Sequence, residues 1–279
     1  MSIARRLTPW ALAFPGAAKA PRRAATTGVP EKMSDTLRIA TYNIHKGRSL
    51  FNRRLILHDL RDRLRGLGAD LVFLQEVQVL HEHRTHRLNN WTAEPQYEFL
   101  AHSVWRDFAY GKNAVYDRGH HGNAVLSRFP IAHWDNEDVS AHRFESRGVL
   151  HCEITVPGWK ELLHCVCVHF AITAGSRRRQ LWALRERIDR LVPEHAPLVV
   201  AGDFNDWRGD AAANLARPLG LHEVFEEVAG DPARSYPAIL PLLRLDRIYV
   251  RGFSVRAARV HHGRRMSDHA ALTATIVRL

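Results

Sequence analysis

The chain of 279 residues is poor in cysteine and lacks any long apolar run. Its three cysteines, Cys152, Cys165 and Cys167, contain no CxxC pair. This odd count argues against a disulfide framework and a structural zinc site, and it predicts a reduced, cytoplasmic setting. No stretch of about 18 or more apolar residues occurs, so no membrane-spanning helix is expected. With 46% hydrophobic residues, the sequence instead favours a domain with a substantial core.

The formal net charge of the chain is +11, and the first 30 positions contribute to it because they contain no acidic residue. Residues 1–35 are predicted to be a basic N-terminal tail that is either disordered or cleaved. The apolar stretch PWALAFPGAAKA makes only a weak export signal because Pro9 and Pro15 interrupt it, and Met33 is an alternative start. The basic charge fits an anionic partner such as nucleic acid, a phosphate ester or an anionic lipid surface. A solvated arginine-rich surface would give the same charge.

Residues 36–279 read as one α/β domain without repeats or an internal linker. Strands are predicted where β-formers run together, and helices where leucines recur at helical spacing. The predicted helices are RRLILHDLRDRLRGLG and SRRRQLWALRERIDRLV. The predicted strands are LRIATYNI, DLVFLQEV, YEFLAH, GNAVLSRFPI, RGVLHCEITV, ELLHCVCVHF, PLVVAGDFNDW, LLRLDRIYVRG, SVRAARVHH and SDHAALTATIVRL. This mixture favours two packed sheets flanked by helices.

Polar side chains stand at or within the ends of these apolar strands. They are Asn43, Glu76, His169, Asp203, Asn205, Asp246, Asp268 and His269. A buried carboxylate costs several kcal/mol unless it is paired, hydrogen-bonded or bound to a metal. Taken singly, Asp203 could cap a turn and His169 could be a core histidine, while Asp246 could pair with Arg244 or Arg247. Taken together, they predict one pocket at a shared edge of the sheets.

The chemistry of this set points to a reaction class. Carboxylate and amide oxygens are hard ligands that suit Mg²⁺ or Mn²⁺, and the two histidines can serve as acid, base or phosphate binder. No serine or cysteine nucleophile stands beside a base. The predicted reaction is therefore the attack of a metal-activated water on a phosphoester.

Seven motifs also carry a resemblance to a known superfamily. In chain order they are TYNIHKG, LQEV, GNAVLSRFPI, VHF, AGDFND, LDRIYV and SDHAAL. This set resembles the DNase I-like endonuclease/exonuclease/phosphatase superfamily, which includes exonuclease III-type repair enzymes, sphingomyelinases and inositol polyphosphate 5-phosphatases. The chain is most similar to small bacterial members of unsettled substrate, some encoded beside cardiolipin synthase. The resemblance covers about residues 36–279 and implies a four-layer α/β sandwich, with two packed mixed β-sheets flanked by helices.

The resemblance implies a metal site formed by three of the polar side chains. Glu76 would be the main ligand of Mg²⁺ or Mn²⁺, and Asn43 would lie beside it. Asp268 would complete the metal shell, directly or through water. Whether one or two metals bind stays open at this point.

The resemblance implies catalytic roles for the other five. Asp246 would hold the imidazole of His269 and fix its tautomer. His269 would act as general base toward the water or contact the phosphate, and His169 would stabilise the transition state. Asp203 and Asn205 would orient the nucleophile and the phosphate, or hold a second metal.

Four further residues are candidate substrate contacts. Asn123 and His121 belong to the glycine-containing stretch DRGHHGNAVLSR, whose glycines would permit a ligand to approach the backbone or would serve only a hairpin. Arg147 could pair with a phosphate or solvate a turn, and Tyr110 could stack on a base or sugar. The stretch HEHRTH lacks the histidine spacing of a metalloprotease helix, so a solvated loop or helix face is expected there.

These observations define the reaction better than the substrate. The leading hypothesis is a phosphodiesterase or endonuclease acting on nucleic acid, which the net charge favours. The alternatives are hydrolysis of a phospholipid headgroup or small phosphate ester, and a binding module that has lost activity. Peripheral contact with anionic lipid is possible, but no apolar insertion for it is evident. No protein partner is inferred.

Overall fold

The computed structural model describes residues 35–47, 56–80, 95–102, 104–116, 119–142, 145–262 and 266–279. Residues Met33–Leu279 form one compact unit. The predicted tail, apart from Asp35, and the HEHRTH stretch lie outside the described residues. Within them, no helix combines the length and hydrophobicity that a membrane span requires.

The described residues contain β-strands and a smaller number of α-helices. The strands are β1 Thr36–Asn43, β2 Leu71–Leu80, β3 Asp107–Tyr116, β4 Gly119–Ser127, β5 Ile131–Asp138, β6 Gly148–Ile154, β7 Leu163–His169, β8 Leu198–Asp203, β9 His222–Glu223, β10 Asp246–Arg251, β11 Phe253–His261 and β12 Ala271–Arg278. The helices are α1 Leu57–Leu67, α2 Gln96–Ala101, α3 Ala174–Leu191 and α4 Val224–Ala229. Short 3₁₀ and π turns occupy His45–Gly47 and Ala212–Ala216.

The strands form two six-stranded sheets that pack face to face. The first has the order β11-β12-β1-β2-β4-β3 and the second the order β5-β6-β7-β8-β10-β9. Side chains such as Phe73 of the first sheet and Cys165 and Val199 of the second fill one buried cluster between them. Both sheets mix parallel and antiparallel neighbours.

Helices cover the two outer faces. The leucines of α1 pack on the first sheet in one apolar cluster, and Leu181 and Leu184 of α3 pack on the second. Each fully buried Leu or Val stabilises the fold by about 1.5–3 kcal/mol relative to exposure. The predicted four-layer α/β sandwich is therefore confirmed, as is the burial of Cys165 and Cys167 as small free thiols.

One predicted strand is a helix. YEFLAH falls in α2, where Phe99 and Leu100 are buried in the same cluster as α1. Pro95 precedes the helix and suits such a start, since its fixed φ and missing N–H cost nothing before the first helical turn. The apolar residues recur at three- to four-residue spacing, and over six residues this period is hard to distinguish from a strand.

Two predicted strands have different bounds. GNAVLSRFPI is divided, because β4 ends at Ser127, whose hydroxyl accepts the Phe129 N–H at 3.0 Å, and β5 begins after Pro130. LLRLDRIYVRG begins its strand only at Asp246, so Leu242 and Leu243 precede β10. The sequence did not predict β3, β9 or α4 as elements.

Strand direction brings the predicted polar residues to one edge. β7 runs parallel to β8, with His169 opposite Asp203, and β10 runs antiparallel to β8, with Asp246 opposite Asp203. In the first sheet, β1 runs parallel to β2, with Asn43 opposite Gln75. The chain segments after β7 and β8 and before β10 therefore leave the second sheet at the same edge.

A histidine pair lies on the helix-covered face of the second sheet, away from that edge. His151 of β6 and His164 of β7 are buried, and their Nε2 and Nδ1 atoms lie 3.0 Å apart. Burial, followed by the charges of His164 and Arg187, lowers the pKa of His151 to about 3. Burial lowers the pKa of His164 as well, so both imidazoles are uncharged in the folded protein at neutral pH.

Candidate active site

Asp203 lies at the centre of the polar edge. Its side chain is 1% exposed, and Oδ2 accepts a 3.1 Å hydrogen bond from Asn43 Nδ2 of the other sheet. The strand reaches this point through Gly202, whose φ is 151° and where a Cβ would stand 2.0 Å from the Val168 carbonyl oxygen. Only glycine fits there, because any side chain would push β8 away from β7.

Asn205 completes the turn that follows Asp203. The Asn205 N–H donates to Asp203 Oδ1 at 2.9 Å, and its Nδ2 donates to the Phe170 carbonyl at 2.9 Å. The carboxylate of Asp203 therefore caps a turn, which is the non-catalytic role that the sequence allowed for it. It does so while Oδ2 faces the pocket, so the capping role and a functional role coexist.

His269 is held by a buried carboxylate. Its Nδ1 lies 2.8 Å from Asp246 Oδ2, and Ser235 Oγ donates to the same oxygen at 2.5 Å. Burial alone would lower the pKa of His269, but Asp246 and then Asp203 outweigh burial and raise it to about 10. The hydrogen bond from Nδ1 to Asp246 also fixes the ring orientation, so Nε2, which is protonated as well in the cation, faces Asp203.

Asp246 is not the partner of a neighbouring arginine. Arg247 donates to the backbone carbonyls of Asp246 and Asp206, at 3.3 and 3.1 Å, rather than to the Asp246 carboxylate. Arg244 pairs with Asp231 at 3.0 Å. The carboxylate of Asp246 is thereby committed to His269 and Ser235.

A second imidazole, His169, approaches Asp203 from β7. Its Nε2 lies 3.5 Å from Asp203 Oδ2, and His269 Nε2 lies 3.7 Å from the same oxygen. Burial, then the charges of Arg147, His269, His121 and Lys46, lowers the pKa of His169 well below its ordinary value. His169 is therefore neutral at neutral pH and can donate one hydrogen bond from its ring.

Glu76, Asp268 and His45 form an adjoining group. Asp268 Oδ1 lies 3.2 Å from His45 Nδ1, and this carboxylate raises the pKa of His45. The negative charge of Glu76 acts on the same imidazole in the same direction. Burial would raise the pKa of Asp268, but His45 lowers it. The negative charges of Asp268 and Glu76 thus both act on the His45 imidazole.

Asn43 connects the two groups. Its Nδ2 donates to Asp203, and its Oδ1 accepts the His45 N–H at 3.1 Å. The Ser267 hydroxyl donates to the Asn43 carbonyl at 2.7 Å, which fastens the segment before β12 to the end of β1. Asn43 therefore joins Asp203 to His45, and through His45 to Asp268, in one connected cluster of polar side chains.

Backbone strain is concentrated at this edge. Among the described residues, the non-glycine residues with positive φ are His45, Lys46, Glu76 and Asn205, at 46°, 58°, 56° and 49°. Such left-handed conformations cost about 1–3 kcal/mol each, and they persist where surrounding contacts hold a side chain in a required direction. Glu76 lies where the β2–β4 register shifts between Leu74 and Val77.

The predicted substrate contacts divide between three places. His121 and Arg147 lie near His169, since both charges act on its pKa. Asn123 lies between the sheets, where Nδ2 donates to the Gly148 and Cys167 carbonyls at 3.0 and 3.3 Å. Tyr110 stacks on Tyr97 of α2 with ring centroids 4.6 Å apart, so it faces the helix layer and not the pocket.

Sequence reasoning missed several residues of the pocket. Ser235 and Gln96 lie in segments without a strand-end pattern, yet Ser235 contacts Asp246 and Gln96 Nε2 donates to the Lys46 carbonyl at 3.0 Å. His45 and Lys46 were present in the motif TYNIHKG but were not assigned roles. Their position directly after Asn43 was the available signal.

The donor set of the pocket fits a divalent cation. Asp203, Asp246 and His269 offer ligand atoms that all lie within 4.8 Å of one another. Asp246 Oδ1 is buried and has no hydrogen-bond partner within the described part of the chain. A buried carboxylate oxygen without a donor is costly unless a cation or water satisfies it. Oxygen-rich sets of this kind suit Mg²⁺ or Mn²⁺.

Comparison with known sequences identifies related proteins. The profile of the Endonuclease/Exonuclease/phosphatase family matches residues 40–269. A relative from Escherichia coli (strain K12), named "Uncharacterized protein YbhP", is 49% identical over 244 residues, which are 86% of this chain and 96% of the relative.

Solved structures share the fold. An endonuclease/exonuclease/phosphatase from Beutenbergia cavernae has a TM-score of 0.70 at 19% identity and covers 87% of this chain and 72% of its own. D. rerio TDP2 complexed with single strand DNA product has a TM-score of 0.65 at 20% identity, over 86% of this chain and 98% of its own. These two likenesses concern the sandwich architecture.

Proposed function

The chain belongs to the endonuclease/exonuclease/phosphatase family, whose members hydrolyse phosphoester bonds, and we propose that it is a divalent-metal-dependent phosphodiesterase. The observation that carries this proposal is the convergence of two imidazoles, His169 and His269, on one oxygen of Asp203. Attack of water on a phosphorus centre requires a base and hydrogen-bond donors for the phosphate. Here Asp203 would be the base, His169 the neutral donor and His269 the cationic donor.

Glu76 and Asp268, with Asn43 beside them, would hold the Mg²⁺ or Mn²⁺. Both carboxylates act on a single imidazole, that of His45, so the group carries excess negative charge that a cation would balance. When bound, the metal would neutralise charge on the phosphate and lower the pKa of a coordinated water. Asp203 and Asp246 would face a second cation if one binds.

Asp203 would orient the attacking water and accept its proton. Burial raises the pKa of this carboxyl to about 7, which is the range in which a base works near neutral pH. Its two oxygens are aligned by donors from Asn205 and Asn43, so the carboxylate keeps one orientation during the attack.

His269 and His169 would bind the phosphate. Asp246 holds His269 as a cation whose Nε2–H is directed at the pocket, so we assign it to charge stabilisation rather than to the base role. His169 would donate from a neutral ring and add no charge of its own. Arg147 and Lys46 act electrostatically on His169 and so contribute positive potential for an anionic substrate.

Nucleic acid is the first candidate substrate. The support is the net charge of +11 and the fold shared with TDP2, whose structure was determined with a single-stranded DNA product. A phospholipid headgroup is the second candidate, and it is favoured by exposed apolar side chains beside the pocket.

Hydrolysis assays with a matched histidine pair test the chemistry. Supercoiled plasmid and bis-p-nitrophenyl phosphate are incubated with Mg²⁺ or Mn²⁺, with and without EDTA, using the wild type, His269→Ala and His195→Ala. His195 is exposed and precedes β8 at the opposite edge of the sheet, so its variant controls for loss of any histidine.

EDTA-sensitive nicking that only His269→Ala loses would support a nuclease. Turnover of the small diester without nicking would retain the chemistry and reject nucleic acid as the substrate. No metal-dependent turnover of either compound would contradict the phosphodiesterase and favour a binding module.

A further inference from the structure

Exposed apolar side chains gather around the pocket. Of the twelve large hydrophobic side chains that are exposed in the described ranges, six lie in segments that adjoin the catalytic strand ends of the second sheet: Ile172, Trp207, Ile239, Leu240, Leu242 and Leu243. We refer to these six as the apolar rim. Scattered surface leucines need no explanation, whereas exposed apolar residues concentrated in the segments beside a site mark an interaction surface.

The position of the rim follows from sheet topology. Ile172 lies three residues after the end of β7 at His169, and Trp207 lies four residues after the end of β8 at Asp203. The segment with the other four residues leads into β10 at Asp246. Because β7 and β8 are parallel and β10 is antiparallel to β8, these segments leave the sheet on the pocket side.

The leucine-rich segment is fastened to the catalytic residues. Its Ala238 N–H donates to the Asp268 carbonyl at 2.6 Å, and the ring of Tyr236 lies 5.0 Å from that of His269. Tyr236 also forms a β-bridge with Leu243. The segment is therefore held in place, and Leu240 is 64% exposed because the fold directs it outward.

The charges around the rim favour an anionic partner. Arg178, Arg208 and Arg234 are exposed within or next to the rim segments. The acidic groups of these segments are engaged: Asp206 and Asp210 both pair with the buried Arg177, and Asp231 pairs with Arg244. The surface therefore combines aliphatic side chains with unopposed guanidinium groups.

A bilayer matches this combination better than a nucleic acid does. Aliphatic side chains gain free energy by entering the acyl boundary, while arginines contact anionic headgroups. Single-stranded nucleic acid binds through aromatic stacking, and Trp207 is the single aromatic residue of the rim, with Arg177 already placed over its ring. The four aliphatic side chains between residues 239 and 243 offer a phosphate backbone neither a charge nor a hydrogen bond, and they offer the bases no aromatic ring for stacking.

We propose that the apolar rim docks the protein on an anionic phospholipid bilayer, with the pocket facing the headgroups. Docking itself does not depend on catalysis, whereas its consequence, that the second candidate substrate, a headgroup phosphoester, is favoured over nucleic acid, rests on the proposed function. The sequence placed Leu242 and Leu243 in a strand, whereas in the structure they precede β10, which begins at Asp246.

Vesicle flotation tests the proposal. Wild type, a rim variant with Leu240→Ser and Leu242→Ser, and a control with Leu191→Ser and Val228→Ser are mixed with vesicles of phosphatidylcholine, alone or with added phosphatidylglycerol. Leu191, at the far end of α3, and Val228 are exposed large apolar residues outside the rim. Binding that needs phosphatidylglycerol, and that falls about tenfold or more only in the rim variant, is expected.

Parallel measurements keep docking and catalysis separate. The melting temperature of each variant reports folding, and His269→Ala tests whether vesicle binding survives the loss of activity. Equal binding by the rim variant and the wild type, or no binding by the wild type, would overturn the proposal. So would binding of a labelled single-stranded oligonucleotide that the rim variant loses, because the rim would then be a nucleic-acid surface.

Discussion

Replacing Ser235 with alanine should weaken catalysis without removing any group that touches the substrate. Ser235 is fully buried, its Oγ donates to Asp246 Oδ2 at 2.5 Å, and it accepts the Asp246 N–H at 3.2 Å. The alanine retains Cβ, so the variant removes these two bonds and little else. Asp246 Oδ1 has no partner in the described part of the chain, so Oδ2 would keep only His269.

The magnitude follows from the loss of a hydrogen bond to a charged group, which is worth about 1.5–3 kcal/mol. If His269 needs Asp246 aligned in the transition state, the same free energy appears in kcat, and about 1.4 kcal/mol corresponds to a tenfold change in rate. The expected result is a fall in kcat of about 10- to 150-fold. KM should change little, because Ser235 positions a catalytic group and does not bind the substrate.

Steady-state hydrolysis of bis-p-nitrophenyl phosphate measures this effect well below the melting temperature. Ser254→Ala is the matched control, since Ser254 lies on β11 and its hydroxyl donates to the Val277 carbonyl at a long 3.5 Å. A Ser235→Ala enzyme with wild-type kcat would refute the positioning of His269 through Asp246. An equal loss in both variants would do the same.

Three further predictions concern stability. Arg177→Met should destabilise the fold by about 3–5 kcal/mol in urea unfolding, because the buried Asp206 carboxylate loses its cation and keeps the neutral Gly209 and Ala211 N–H donors, and adding Asp206→Asn should restore part of the loss. Gly202→Ala should lower the melting temperature far more than Gly209→Ala, since a Cβ at residue 202 meets a carbonyl oxygen at 2.0 Å and one at residue 209 meets nothing within 4 Å. In the folded protein the pKa of His151 is about 3, below its unfolded value. The free energy of unfolding should therefore be unaffected by His151 above pH ~6.5 and should fall as the pH drops below that value. The loss should reach about 2–3 kcal/mol at pH ~4.5, and a His151→Gln variant with the same pH slope as the wild type would contradict the assignment.

The sandwich was predictable because its signals are periodic. Continuous apolar strands such as β7 and β8 require cover on both faces, and Leu181, Leu184 and Ile188 of α3 supply it on one face at helical spacing. The polar residues that end these strands, Asp203 and His169 among them, follow from the same reasoning. Strand ends at one edge are expected to meet, and the structure places these side chains 3.5 Å apart.

The remaining features depend on tertiary contacts that a single sequence does not display. Ser235 was not predictable because its partner, Asp246, lies beyond an irregular segment. The place of Tyr110 was not predictable because a substrate-stacking residue and a helix-facing core residue look alike in sequence, and the stacking on Tyr97 shows which layer it faces. The role of Glu76 as a metal ligand stays a prediction.

The link between Asn43 and Ser267 has a consequence for how the protein is made. The two residues are 224 positions apart, and β1 pairs directly with β12. A nascent chain on the ribosome thus holds β1 with one open edge until residues 271–278 emerge, and an open strand edge invites wrong pairing. The pocket also includes Ser267, Asp268 and His269, so it can assemble only after these late residues have emerged. A partly synthesised chain therefore lacks a complete site.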